Sequence, residues 1–209
     1  MFFGDSITSM LATLLAVLVA ITFHETAHGY VAYSLGDTTA KDQGRLTLNP
    51  LAHLDPIGAL LMFIAGFGWA KPVPVNPFYF KGDRTRGMML VSIAGPLTNL
   101  ALSFLAYFIY VAGSGFYSIP FLSIFLRSMV TLNIYLAIFN LIPIPPLDGS
   151  KILAGFLPKA TAYKYLNTVE QYGFLILMVL IIFNVTDMIL VPIANAVLNL
   201  FSQILFLIF

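Results

Sequence analysis

Three titratable side chains, His24, Glu25 and His28, stand within five residues of one another at the end of an apolar run. Their spacing is H-E-x-x-H. On an α-helix, positions i and i+4 share a face, so two imidazoles can converge on one metal ion while Glu25 stands beside it, placed to take a proton from water. The chain holds three histidines and two glutamates, and in about 200 residues such a match arises by chance roughly once in a hundred sequences or less often. The competing reading is a polar patch hydrogen-bonded to neighbouring helices. It leaves a carboxylate among apolar neighbours, which is costly without a purpose.

Two histidines do not complete a catalytic zinc site, which usually has three protein ligands and one open position. Candidates for the third are Asp148, His53, Asp187 and Glu170; the chain has no cysteine, which also removes disulfides and thiolate chemistry. Asp148 is favoured. Pro143, Pro145 and Pro146 cannot continue a regular helix before it, and Gly149 after it permits a turn that lets the carboxylate face inward. On local grounds alone Asp148 also reads as a helix N-cap.

The elements that must position these residues belong in a bilayer. Apolar residues make up 59% of the chain and charged ones 9%, with a mean hydropathy of +0.92; a water-soluble globule of this size could not hide so much apolar surface. Spanning helices are expected at residues 7–35, 87–112, 121–141, 165–183 and 188–209. Residues 57–69 are too short for a comfortable span and precede a proline-rich run, Lys71 to Pro77, so a re-entrant segment is expected there, tolerated at membrane depth only where protein covers it or water reaches it. If 57–69 does not cross, Lys41, Arg45, Lys71, Lys81, Arg84, Arg86, Lys151, Lys159 and Lys164 fall on one side, while 113–120 carries no basic residue. That side is expected to be the cytoplasm. A net charge of +1 argues against nucleic acid as a partner.

His24-Glu25-Thr26-Ala27-His28, taken with the stretch Asn140 to Gly149 (N-L-I-P-I-P-P-L-D-G), resembles the site-2 proteases, intramembrane zinc metallopeptidases with the signatures H-E-x-x-H and N-x-x-P-x-P-x-L-D-G. Residues 49–58, 71–77 and 94–99 also look like the small bacterial members, so the resemblance covers roughly residues 20 to 155. It implies one zinc per chain held by His24, His28 and Asp148, Glu25 as general base, and Asn140 as a polar group that helps position substrate. Three departures from that pattern are expected: no room for a PDZ domain between the signatures, no CBS pair after them, and no counterpart of the family's helix before the H-E-x-x-H helix, with residues 1–23 ahead of His24.

The expected protein is therefore an all-α polytopic membrane protein with a re-entrant or short β-like segment near the site. It is read as one domain, 1–209, with a catalytic core over about 7–160 and C-terminal membrane segments over about 165–209. Its expected work is zinc-dependent hydrolysis of peptide bonds within or near the transmembrane helix of a single-span substrate, in a bacterial inner membrane with the site toward the cytoplasm. The rival is a membrane zinc carrier; Glu25 separates the two, since a carrier has no use for a carboxylate fixed beside the metal. Residues 71–80 could offer an edge for an unwound substrate strand. His53 has two readings, steadying a developing oxyanion or locking the turn at 49–56. Asn99 either faces the site cavity or packs between spans.

Overall fold

The computed structural model describes residues 6–65 and 68–207, with eight α-helices and no strand among them. Five helices are long and apolar enough to span a membrane. The first, α1, covers Ile7–Ser34. Ser6 caps it through a capping box, its hydroxyl accepting the N–H of Ser9 while the Ser9 hydroxyl accepts the N–H of Ser6, each at 3.1 Å. Gly36 ends it at φ +108, where a Cβ would crowd the Tyr79 carbonyl.

Next come α2, Thr39–Asp42, and α3, Pro56–Ala65. The expectation of an excursion at 57–69 meets a specific device. Leu54 and Ala70 form an antiparallel bridge, and the N–H of Lys71 donates to the His53 carbonyl at 3.0 Å. The two ends of the segment are thereby tied together, so α3 leaves and the chain returns on one side of the helical core.

The second span, α4, covers Arg84–Ala112 with Asp83 as N-cap, and the third, α5, covers Pro120–Asn140. Pro96 lies inside α4, where its missing N–H leaves the Ser92 carbonyl without its helical partner. After the proline run come α6, Asp148–Phe156, α7, Lys159–Ile182, and α8, Val185–Phe206. Observed spans agree with the expected ones to within a few residues, apart from the start of α7, which reaches back to Lys159. Ala16 of α1, Ala106 of α4, Ile134 of α5 and Phe201 of α8 belong to the main buried cluster, small residues letting the helices approach closely.

The charge pattern also gains a member. Arg127, the tenth basic residue, lies within α5 beside Thr13, Ser128 and Thr131, toward the end of the bundle opposite the other nine. Of the ligand candidates, the side chain of Asp187 lies outside the described residues.

Candidate metal centre

His24 and His28 lie one turn apart on α1, and both are buried, 5% and 8% exposed. Asp148 is brought to them from 120 residues away by the break after α5. It stands in the first turn of α6, but Leu147 is the cap and the Asp148 side chain makes no capping bond. Instead its Oδ2 lies 3.3 Å from His24 Nε2 and 3.2 Å from His28 Nε2, and the two Nε2 atoms are 3.0 Å apart. The loop that delivers it is held from both sides: a Cβ at Gly149 would run into the carbonyls of Leu141 and Ile142, and Tyr165 of α7 donates its hydroxyl to Pro143 O.

The outer nitrogens of the two rings decide what the inner ones can do. His28 Nδ1 faces the Val91 carbonyl at 2.7 Å, and a carbonyl only accepts, so this nitrogen carries the proton. His24 Nδ1 meets Asn99 Oδ1 and likewise donates. Both Nε2 atoms then present lone pairs toward each other and toward a carboxylate oxygen. Three acceptors gathered in a buried site with no donor among them repel one another unless a cation stands between them. Imidazole, imidazole and carboxylate form a donor set suited to zinc, with no fourth ligand among the described residues, and the Asn99 and Val91 oxygens behind the two rings are acceptors of the kind a metal-binding histidine uses. Gly95 of α4 makes the room, since a Cβ there would sit 2.6 Å from His24 Cε1 and from His28 Cε1 and Nε2.

Glu25 is half-buried, and its Oε2 accepts the N–H of Val73 at 2.8 Å. This contact belongs to a wider clamp on residues 71–76. Arg45 donates to the carbonyls of Lys71 and Pro72 at 2.9 and 3.1 Å, and Asp37, 1% exposed, accepts the N–H of Asn76 at 2.6 Å and that of Thr39 at 3.0 Å. Lys71, Val73 and Asn76 each precede a proline, which keeps them extended. Arg45 entered the sequence analysis only as one of the basic residues on one side, and Asp37 was given no role at the site; an aspartate directly after the Gly36 that ends α1 is the one local sign.

The other site expectations fall in different places. His53 is fully buried, but its Nε2 donates to Thr47 O at 2.8 Å and lies 3.4 Å from the hydroxyl of Thr26, two positions along α1 from His24 and on the other face. Its Nε2 is thus engaged with the turn at Thr47 and with α1, and His53 is not part of the cluster. Asn99 is fully buried between helices and bonded to His24, which is the packing reading with a ligand attached. Asn140 ends α5 half-buried, its amide donating to Leu136 O at 2.9 Å. Glu170 lines a groove of about 460 Å³ with Arg84, Lys151 and Pro146 and is not part of the cluster.

Comparison with known proteins places these features among relatives. The family model described as Peptidase family M50 matches residues 119–183. Three similar proteins carry the name "Putative zinc metalloprotease": YwhC of Bacillus subtilis, 44% identical over 91% of this chain and 90% of that protein; Rip2 of Mycolicibacterium smegmatis, 33% identical over 79% and 64%; and MJ0611 of Methanocaldococcus jannaschii, 32% identical over 71% and 72%. No solved structure matches the chain.

Proposed function

The chain belongs to peptidase family M50, and from that premise we propose that it is a multi-pass zinc endopeptidase that cuts a single-span membrane protein within or near its transmembrane helix. One observation carries the reading: His24 Nε2, His28 Nε2 and Asp148 Oδ2 converge within 3.3 Å of one another, with Glu25 next in the chain and outside the cluster. A carrier gains from a full ligand shell, whereas three ligands with a carboxylate left over suit hydrolysis.

Bound zinc supplies a Lewis acid that polarises the scissile carbonyl and lowers the pKa of water. Glu25 takes the proton of the attacking water and delivers it to the leaving amine. His24 and His28 stay neutral ligands because their Nδ1 protons are held by Asn99 and Val91, and the Asp148 carboxylate offsets the positive charge. The segment 71–76 receives the unwound substrate strand: the N–H of Val75 and the carbonyl of Val73 have no hydrogen bond among the described residues. Asn140, at the end of α5, steadies the substrate near Asp148. The cluster end of the bundle, which carries nine of the ten basic residues, faces the cytoplasm of a bacterial inner membrane.

The test is proteolysis by purified protein reconstituted with single-span substrates, comparing wild type, Glu25→Gln, and wild type treated with a chelator and then resupplied with zinc. A product whose new terminus lies inside or beside the substrate span, formed by wild type and by the resupplied sample alone, is expected. Equal cleavage by Glu25→Gln, or cuts confined to distant soluble segments, would overturn the proposal.

A further inference from the structure

The polar side chains buried between α1, α4 and α5 form a chain with a direction. Asn133 of α5 and Asn99 of α4 are both fully buried. Asn133 Nδ2 donates to the Met129 carbonyl at 2.8 Å, and Asn99 Nδ2 donates to the Ala20 carbonyl at 3.2 Å and to Asn133 Oδ1 at 2.7 Å. Asn99 Oδ1 then meets His24 Nδ1.

Each link settles the next. A backbone carbonyl can only accept, so Met129 O requires the amide nitrogen of Asn133 to face it, which turns Asn133 Oδ1 toward Asn99. Two acceptors, Ala20 O and Asn133 Oδ1, then require the amide nitrogen of Asn99 on their side, which turns Asn99 Oδ1 toward His24. The His24 proton must therefore sit on Nδ1, leaving Nε2 as the lone pair aimed at Asp148 and His28. Without the first link, only the longer 3.2 Å bond to the Ala20 carbonyl opposes a flip of Asn99; the flipped amide presents its N–H₂ to His24, and the ring answers by carrying its proton on Nε2, where a metal ligand cannot have one.

We propose that Asn133 and Asn99 are positioning residues of the metal centre, an amide relay through which a backbone carbonyl of α5 fixes the tautomer of His24 on α1. The proposal rests on the zinc reading above and adds to it a residue, Asn133, that touches neither metal nor substrate. Its nearest counterpart is Ser103, also fully buried at the α4–α5 contact, whose hydroxyl donates to the Val130 carbonyl at 2.8 Å without leading to a ligand.

The experiment compares wild type, Asn133→Leu, Asn133→Ala and Ser103→Ala, each first shown to be folded by circular dichroism. Two quantities are read: zinc affinity by chelator competition, and the imidazole ¹⁵N shifts of His24 in the zinc-free protein labelled at its three histidines. Both Asn133 variants are expected to bind zinc about 10- to 100-fold more weakly and to move His24 toward the Nε2–H tautomer. Ser103→Ala is expected to lose thermal stability and to keep both zinc affinity and tautomer. Unchanged affinity and tautomer in the folded Asn133 variants would overturn the relay, as would an equal loss in Ser103→Ala. Failure of wild type to bind zinc would count against the enzyme reading instead, while the tautomer of the zinc-free protein still judges the relay.

Discussion

Glu25 Oε2 accepts the backbone N–H of Val73 at 2.8 Å, tying the carboxylate beside the metal cluster to the extended segment at 71–76. The bond leaves the second carboxylate oxygen to handle a proton. A charge-assisted hydrogen bond of this kind contributes about 1.5–3 kcal/mol, roughly ten- to hundredfold in rate where it holds a catalytic group in place. Val73→Pro removes the donor together with the buried valine side chain, at a position already flanked by Pro72 and Pro74, and Val73→Ala removes that side chain alone. The proline variant is expected to lower kcat by about tenfold or more with zinc content unchanged, whereas Val73→Ala, which keeps the N–H, stays within a few-fold of wild type. Equal kcat in the two variants would show that Glu25 is placed by something else.

Asp148 and His53 part company in the same way. Asp148→Asn exchanges a carboxylate between two imidazoles for a neutral amide, a poorer zinc ligand. It is expected to bind zinc far more weakly and to lose activity. His53→Ala should keep its zinc, because its ring bonds Thr47 and Thr26 on the other face of α1, and should show faster hydrogen exchange over residues 47–55. Zinc titration of both variants, with exchange measured by mass spectrometry, checks the pair; loss of zinc from His53→Ala would reverse their roles.

The H-E-x-x-H spacing was legible because an i, i+4 relation lies within one helix and needs no tertiary information. Asp148 was legible because Pro143, Pro145 and Pro146 advertise a broken backbone before it. Helix spans followed from apolar length. The contacts that finish the site were not legible, since each joins residues far apart through a packing angle that no local pattern records: Val73 to Glu25, Asn76 to Asp37, Asn99 to Asn133. An asparagine inside an apolar span was a usable sign for Asn133. Arg127 carried a comparable sign, a cation within α5, and was absent from the one-sided count of basic residues.

The start of α7 is joined to the start of α4 by the ammonium of Lys159, 2.8 Å from Asp83 Oδ2. With Lys159 and the N–H of Arg86 beside it, the Asp83 carboxyl is held down at about 2 against its usual 3.8. A carboxyl with a lowered folded-state pKa contributes stability that is fully present above the unfolded value and is lost as pH falls through the folded one. Asp83→Asn is therefore expected to melt slightly below wild type at pH 7, the small size reflecting an exposed pair, with the gap closing between about pH 4 and pH 2. A gap that persists at pH 2 would mean that the side chain acts through packing or capping and not through its charge.

The bridge between Leu54 and Ala70 makes a prediction about sidedness. A membrane core is about 30 Å thick, so two residues paired across a bridge cannot stand on opposite faces of it. Lys71 N–H on His53 O, at 3.0 Å, holds the bridge, and Lys81 N–H on Leu35 O, at 2.7 Å, joins the end of α1 to the approach to α4. Thr38 and Thr85 are therefore expected to share a side, and Tyr117, between α4 and α5, to lie across the membrane from them. The chain has no cysteine of its own, so single cysteines at these positions report cleanly. An impermeant maleimide applied to sealed vesicles of known orientation is expected to label Thr38→Cys and Thr85→Cys from one side and Tyr117→Cys from the other. Labelling of the first two from opposite sides would make residues 54–70 a crossing, and the one-sided distribution of lysine and arginine would then no longer orient the chain.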